Sequence, residues 1–504
     1  MKNWIKSNYL FVLIILLFLI KAYFLTITAN QALWWDEADY MNMARAYLGA
    51  DYWDLNYDIV RPILLPILIT PFLFLGLGEV TIRFFMILCS ITSVILLYKI
   101  GALLFNKRIA FYSAFMLSVF WSFNFHSFRI LADVPLTMFW LATIYFFLFA
   151  YYKNKNKYFI LSGIFLGLSF MMKSVSAMLV LFLGIYILTT EKLNVFKNKK
   201  IYIFFLISLL TVIPFFAYQF FVYGHPLAFQ KAATLTSSVD RFEASIDIIL
   251  YIIEIIYPIL AVCFGIGLLY MLNYLYTRYG SISKKESYSN KLYFIFLWLV
   301  VSFGFFVWLG LMTKMYIDER YFFIFFPAIF LICAIGLDRA YKKIMEYLPE
   351  DIVFYKHLMI IIISVLLITS SYQHLSRANY VIKAKSIGGY DNLKQASLFV
   401  KSISNEGDVI LIIEEFAEVS YYSERNFIHI GMNSSDEIDN IIKEYKPSFV
   451  VMSFLFSLGG GYEKSLEYIT TNQELFTPIW ESTDFINENL PIAIVFKIKR
   501  TATQ

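Results

Sequence analysis

The sequence predicts a polytopic α-helical membrane protein of about eleven spans plus a re-entrant helix, with a small extracytoplasmic α/β domain at the C-terminus. Three observations carry this. Of 504 residues, 60% are hydrophobic, 19% aromatic and 16% charged, against about half apolar and roughly 25% charged in an ordinary soluble protein. The apolar excess is gathered into blocks of about 17–25 residues, the length that crosses a hydrocarbon core about 30 Å thick. From about Tyr380 onward polarity becomes ordinary, and helix-like and strand-like segments alternate.

The first block, with Phe11–Ile20 at its centre, starts almost at Met1 and is followed by no small-residue cleavage site. It reads as a retained span rather than a signal peptide. Spans are expected at 8–27, 80–104, 109–126, 135–151, 158–172, 175–190, 201–222, 248–275, 291–312, 321–337 and 358–374. With the N-terminus inside, the cytoplasmic segments carry 19 Lys and Arg, and the opposite loops, without the C-terminal tail, carry 8. That is the positive-inside bias. The apolar segment Pro62–Gly78 is left out of the count. Pro62, Pro66 and Pro71 remove backbone donors that lipid cannot replace, and counting it would turn the lysine-rich loops outward. A re-entrant or interfacial helix within a first outer loop of 28–79 is expected instead. Parity then puts Trp34–Arg61, Ser127–Val134, Tyr223–Asp247 and Thr313–Arg320 on one outer face.

Residues 1–374 form the expected membrane domain and 375–504 the soluble one. In the latter, Asn392–Ser404 and Ser435–Tyr445 have helical periodicity, and Val409–Ile413, Phe449–Met452 and Ile492–Ile498 read as strands. Gly459–Gly461 follows an apolar run but lacks the Lys-Ser/Thr of a phosphate-binding loop. The net charge of +5 is small and scattered, which argues against nucleic-acid binding. Cys89, Cys263 and Cys333 all lie in apolar stretches and read as core thiols.

The outer loops hold the chemistry-bearing residues. Trp34-Trp35-Asp36-Glu37-Ala38-Asp39 opens the first, and on a helix Asp36 and Asp39 share a face while Glu37 points away. The alternative is a solvated acidic loop with interfacial tryptophans. Arg129 and Asp133 end the third span; a plain i,i+4 ion pair is the alternative to a functional role. Lys173 breaks the positive-inside pattern, either snorkelling to the interface or awaiting an anion. The ninth span exits at Lys314 and Asp318-Glu319-Arg320-Tyr321 leads into the tenth, where Arg320 has Asp318 and Glu319 as possible surface partners. His225 stands alone in an outer turn and makes no metal site by itself. Lys21 lies inside the first span with no evident reason.

Carboxylates and cations at one membrane face, without a nucleotide-binding fold, suit transfer from a lipid-phosphate donor. Departure of a sugar from a polyprenyl phosphate leaves nearly two negative charges, which fixed Lys and Arg offset. The acceptor hydroxyl needs a carboxylate to take its proton.

The order of these motifs from Asp36 to Arg320 resembles the GT-C glycosyltransferases of the protein O-mannosyltransferase and aminoarabinose transferase type (family 39 and its prokaryotic relatives). Asp36-Glu37 looks like that family's acidic pair, with the aspartate as base, and Arg61-Pro62-Ile63-Leu64 like its proline-leucine motif. Arg129, Asp133, Pro135 and Leu136 match its second outer loop. Gly163, Gly167 and Lys173 resemble a glycine-spaced helix ending on a phosphate-side lysine, and Arg320-Tyr321 with Pro327 its late helix. The tail around Tyr421–Arg425 looks like the soluble domain appended to many such enzymes. Relatives often have a second proline in place of Arg61 and Gly-Pro in place of Ser174-Val175. Trp34-Trp35-Asp36 also repeats a Trp-Trp-Asp motif of oligosaccharyltransferases. There it lies in the C-terminal domain before Tyr-Gly, so nothing is carried over from it.

The resemblance implies a membrane glycosyltransferase that moves one sugar, with inversion, from a polyprenyl (dolichyl or undecaprenyl) phosphate to an acceptor hydroxyl outside the cytoplasm. The acceptor is a protein, a lipid-linked glycan or a glycolipid, and the membrane is the plasma membrane of a prokaryote. Asp36 and Glu37 are the expected catalytic residues. Lys173, Arg320 and Tyr321 are expected at the donor phosphate, Arg129 and Asp133 in support, and Arg61 and His225 near the pocket. No obligatory metal or other cofactor is expected. The competing functions are a lipid-linked glycan flippase or transporter and a polymerase or ligase of lipid-linked polysaccharide.

Overall fold

In the computed structural model the first apolar block is one unbroken helix, α1 (Tyr9–Thr28). The structure describes residues 8–229, 245–312, 318–347, 353–386, 390–413, 416–431, 433–454, 463–487 and 490–499; Lys314 and Gly459–Gly461 fall outside them. The chain divides into two compact units. One is Met1–Thr26, Pro62–Leu64 and Arg83–Val381; the other is Ile27–Arg61, Leu65–Ile82 and Ile382–Gln504.

Among the described residues eight helical segments are long and apolar enough to cross a membrane, and the protein is an integral membrane protein. They are Tyr9–Thr28, Glu79–Leu104, Asp133–Lys153, Ser174–Lys197, Lys199–Tyr223, Leu250–Thr277, Tyr288–Leu309 and His357–Ala384. Three expected spans take other forms. The 109–126 stretch is two helices, α2 (Lys107–Val119) and α3 (Trp121–His126), because Phe120 is extended at φ −58°, ψ 121°. The amide of Asn124 caps this break by donating to the carbonyls of Ser118 and Phe120 at 2.9 and 3.0 Å, so no backbone acceptor is abandoned in a dry setting. The 158–172 stretch is α4 (Asn156–Met172), 17 residues long. The 321–337 stretch is a 3-10 turn, Glu319–Ile324, followed by α5 (Phe326–Tyr347), whose buried part ends at Asp338. The segment expected to be re-entrant holds α6 (Leu64–Phe74), 11 residues and about 16 Å long, about half a hydrocarbon core.

Helix α4 packs against α7 (Lys199–Tyr223). Gly163 and Gly167 form the small-xxx-small spacing that lets two helix backbones approach closely in lipid. A Cβ on Gly163 would lie 2.6 Å from the Phe204 carbonyl oxygen, and one on Gly167 would collide with Thr211. These glycines hold the helix that ends on Lys173.

The second unit is built on a five-stranded sheet. Its strands are β1 (Val409–Ile412), β2 (Asn426–His429), β3 (Phe449–Ser453), β4 (Phe476–Glu481) and β7 (Ala493–Ile498), in the order β2-β1-β3-β7-β4. β2, β1 and β3 run parallel, and β7 is antiparallel to both its neighbours. A separate pair, β5 (Phe485–Asn487) and β6 (Leu490–Pro491), lies apart from it. Alternation puts Leu411, Val450 and Phe496 in one core, and Ile410, Ile412, Val451 and Val495 in the other. Both faces are covered, as parallel strands require. The α/β character read from the tail is borne out. Asn426–His429 and Phe476–Glu481 are strands that short, mixed sequence did not signal.

The close approach of α4 and α7 yields a test. Gly167→Leu forces the helices apart, a strain of about 1–3 kcal/mol, and the melting temperature in detergent falls. A melt unchanged from wild type contradicts the packing.

Candidate active site

In the second unit the acidic motif forms α8 (Trp35–Ala46). Asp36 and Asp39 do share a face, and Arg61 closes on both. Its Nη1 lies 2.8 Å from Asp36 Oδ1, and its Nη2 donates to Asp39 Oδ2. The planar guanidinium thus bridges two carboxylates from one fork. Asp36 keeps about a quarter of its side chain exposed (25%) while Asp39 is 5% exposed. Glu37 is fully buried and turned away. Its carboxylate accepts the Trp34 backbone N–H at 2.9 Å, which caps the helix it belongs to. The acidic pair expected at Asp36 and Glu37 is divided in geometry: Asp36 shares Arg61 with Asp39, while Glu37 sets the helix start.

The same loop is anchored to the sheet unit's helix α9 (Phe416–Ser423). Asn42 donates to the Ala417 carbonyl at 2.9 Å, and the Leu33 N–H to the Tyr422 hydroxyl at 2.9 Å. Arg45 donates to the Tyr421 carbonyl at 2.7 Å and pairs with Glu424 at 2.9 Å. Arg425, in the tail motif, bonds the Ser404 hydroxyl at 2.9 Å and serves structure.

In the first unit three elements converge on Lys173. It ends α4 in an extended conformation, and its ammonium donates to Asp133 Oδ1 at 2.8 Å. Asp133 opens α10 (Asp133–Lys153), where a carboxylate also favours the positive end of the helix. The Tyr321 ring lies under the ammonium at 4.2 Å, with the Arg320 guanidinium 5.5 Å from the same ring. Arg320 also approaches Asp318, Nε to Oδ2 at 3.4 Å, the partnership that its sequence allowed. Asp133, Lys173 and Tyr321 line a cavity of about 670 Å³ whose other walls, Ser174 apart, are apolar, among them Leu136, Phe170 and Trp308. Arg129 is buried, with its guanidinium 5.5 Å from the Phe125 ring.

His225 is not drawn into this group: it is exposed, and its Nδ1 accepts the Leu227 N–H at 3.1 Å within a turn. Two other residues gain partners that the sequence did not supply. Lys21 is buried and donates to Asn124 Oδ1 at 2.8 Å and Ser127 Oγ at 2.6 Å. It ties α1 to the helix break that precedes Arg129. His126, taken as part of a span, ends α3 and lies with Asp318 and Glu319. Burial first, then the Asp318 charge, push the Glu319 carboxyl up to about 7.

Residues 60–218 match the sequence model of the dolichyl-phosphate-mannose-protein mannosyltransferase family. No curated protein matches the sequence. Solved structures do match the fold. ArnT from Cupriavidus metallidurans, crystallised bound to undecaprenyl phosphate, aligns with a TM-score of 0.68 at 12% identity, over 97% of this chain and 98% of that one. The oligosaccharyltransferase AglB from Archaeoglobus fulgidus, in complex with an inhibitory peptide and a dolichol-phosphate, aligns at 0.60 and 13% identity over 89% and 70%. The arabinofuranosyltransferase AftD from Mycobacteria aligns at 0.54 and 11% over 96% and 41%.

Burial raises Asp39 to about 6, with Asp36 adding to it, although Arg61 pulls the other way. The unfolded carboxyl titrates near about 3.9. Between about pH 4 and 6 the folded chain therefore holds a proton that the unfolded chain has released, so stability falls as pH rises through that window. Asp39→Asn removes this slope in melts taken from pH 4 to 8; the same slope in wild type and variant contradicts the assignment. The chain has the GT-C fold that it shares with ArnT and AglB.

Proposed function

We propose that this protein is a glycosyltransferase that moves a single sugar from a polyprenyl phosphate to an acceptor hydroxyl on the extracytoplasmic side of a prokaryotic plasma membrane, with inversion. The observation that carries the reading is the cavity whose apolar walls meet Lys173, Asp133 and Tyr321. An apolar surface with a charged end fits a lipid chain with a phosphate head. Lys173 directs one N–H at Asp133, and an ammonium has three, so two serve phosphate oxygens. Arg320 supplies a second cation near the same Tyr321 ring. ArnT and AglB, which share the fold, were solved with undecaprenyl phosphate and dolichol-phosphate respectively.

Asp36 is the general base. It is the more exposed member of the Arg61-bridged pair, hence the one an acceptor hydroxyl reaches. Asp39 and Arg61 fix its orientation. As the hydroxyl attacks the anomeric carbon, Asp36 takes its proton while the C–O bond to phosphate breaks. Lys173 and Arg320 balance the charge left on the phosphate. Attack opposite the leaving group inverts the centre without a covalent intermediate.

Labelled sugar on polyprenyl phosphate, supplied to the purified protein in vesicles, separates the functions. Sugar appearing on an acceptor supports transfer; relocation of intact donor across the vesicle supports a flippase. Asp36→Asn keeps the shape but cannot accept the proton, and turnover falls by about 10²–10⁴ while donor binding survives. Arg320→Lys keeps the charge but loses the fork and weakens donor binding, whereas a mere surface pair with Asp318 is worth about 0–1 kcal/mol and its loss leaves activity intact. Near-wild-type turnover in Asp36→Asn removes the base assignment.

A further inference from the structure

His126, Asp318 and Glu319 carry a second reading that sugar transfer does not require. One ligand-type atom from each lies within 4.8 Å of the other two. That spacing suits a common partner at metal–ligand distances of about 2.0–2.6 Å after small side-chain movements.

The surroundings orient these groups as ligands. His126 is only 3% exposed, set among the rings of Phe125 and Phe323. Its Nδ1 lies 2.9 Å from the Ser122 carbonyl oxygen. With the proton on Nδ1 donated there, the lone pair of Nε2 is left for a ligand, and Nε2 has no hydrogen-bond partner among the described residues. The Tyr251 hydroxyl donates to Glu319 Oε2 at 2.8 Å and fixes that carboxylate. A carbonyl behind the histidine and a donor behind the carboxylate are the outer contacts that steer metal ligands. Asp318 already accepts the Arg320 N–H on Oδ1 at 3.1 Å and faces Arg320 Nε across 3.4 Å. Its two oxygens offer about four acceptor positions, so it retains capacity for a cation.

We propose that His126, Asp318 and Glu319 bind one divalent cation of the Mn²⁺ or Zn²⁺ class. One imidazole and two carboxylates suit that class better than Ca²⁺ or Mg²⁺, which favour all-oxygen sets. Three protein ligands leave further positions to water. The cation joins the end of α3 to the 3-10 turn that carries Arg320 and Tyr321, and so holds that turn in place. The sequence leads to the expectation of no obligatory metal, because two protein cations balance a single phosphodiester, and His126 reads there only as part of a span.

The test is binding of the metal itself. Purified full-length protein is stripped with chelator, then titrated with Mn²⁺ and followed by electron paramagnetic resonance, with Zn²⁺ content by elemental analysis and melting temperature alongside. Wild type binds one equivalent saturably and melts higher with metal. Glu319→Gln, nearly the same shape, and His126→Gln each weaken binding at least tenfold. Tyr251→Phe, which leaves all three ligands, weakens it by about 10–100-fold. No saturable binding by wild type, or equal binding by wild type and Glu319→Gln, overturns the site. Because the readout is metal content and melting, the result stands apart from whether the protein transfers sugar.

Discussion

The ion pair between Lys173 and Asp133 organises the membrane unit's charged centre. At 2.8 Å it locks the end of one helix to the start of another, and the Tyr321 ring beneath the ammonium brings in the 3-10 turn. Each partner needs the other. A lone lysine against apolar walls is costly, and so is a 4%-exposed carboxylate without a cation. Held together, they keep charge at the edge of an apolar cavity, which is the combination that a lipid-linked phosphate needs. Beneath this, Gly163 and Gly167 let α4 lie close enough to α7 for Lys173 to end where it does.

The same economy of charge runs through the rest of the unit. Lys21 is surrounded by the Asn124 and Ser127 oxygens and the rings of Phe123 and Phe128 rather than by a carboxylate. Neutral acceptors and π faces lower the cost of that cation, and in return it fixes the broken helix α2–α3. Asp338, 2% exposed, is held by Lys342 at 2.7 Å and Arg108 at 3.4 Å. In the sheet unit the logic is geometric: Arg61 spans Asp36 and Asp39, while Glu37 is spent on capping. One short helix thus separates its three carboxylates into one partly exposed, one buried support and one structural cap.

Much of this was legible in the sequence because hydropathy, proline content and motif order report local rules. The apolar blocks, the short proline-rich helix, the α/β tail and the gathering of Asp133, Lys173, Arg320 and Tyr321 follow from them. What escaped depends on partners distant along the chain. Arg61 meets Asp39 across 22 residues, and Lys21 meets Asn124 across 103, and no periodicity encodes either. The break at Phe120 carries no proline or glycine to announce it, since the Asn124 side chain satisfies the freed carbonyls instead. That concealment also hid His126, whose place at a helix end was invisible while 109–126 read as a single span. Glu37 and Asp36 differ only by 100° of helix, so their separate duties needed the cap contact to tell them apart.

The central claim is that Lys173 and its neighbours hold the phosphate of a lipid carrier. Native mass spectrometry of the purified protein with added undecaprenyl phosphate tests it most directly. The account predicts one bound lipid on wild type, retained by Asp36→Asn and lost or weakened at least tenfold in Lys173→Gln. Equal lipid binding by wild type and Lys173→Gln, or none by wild type, would contradict it.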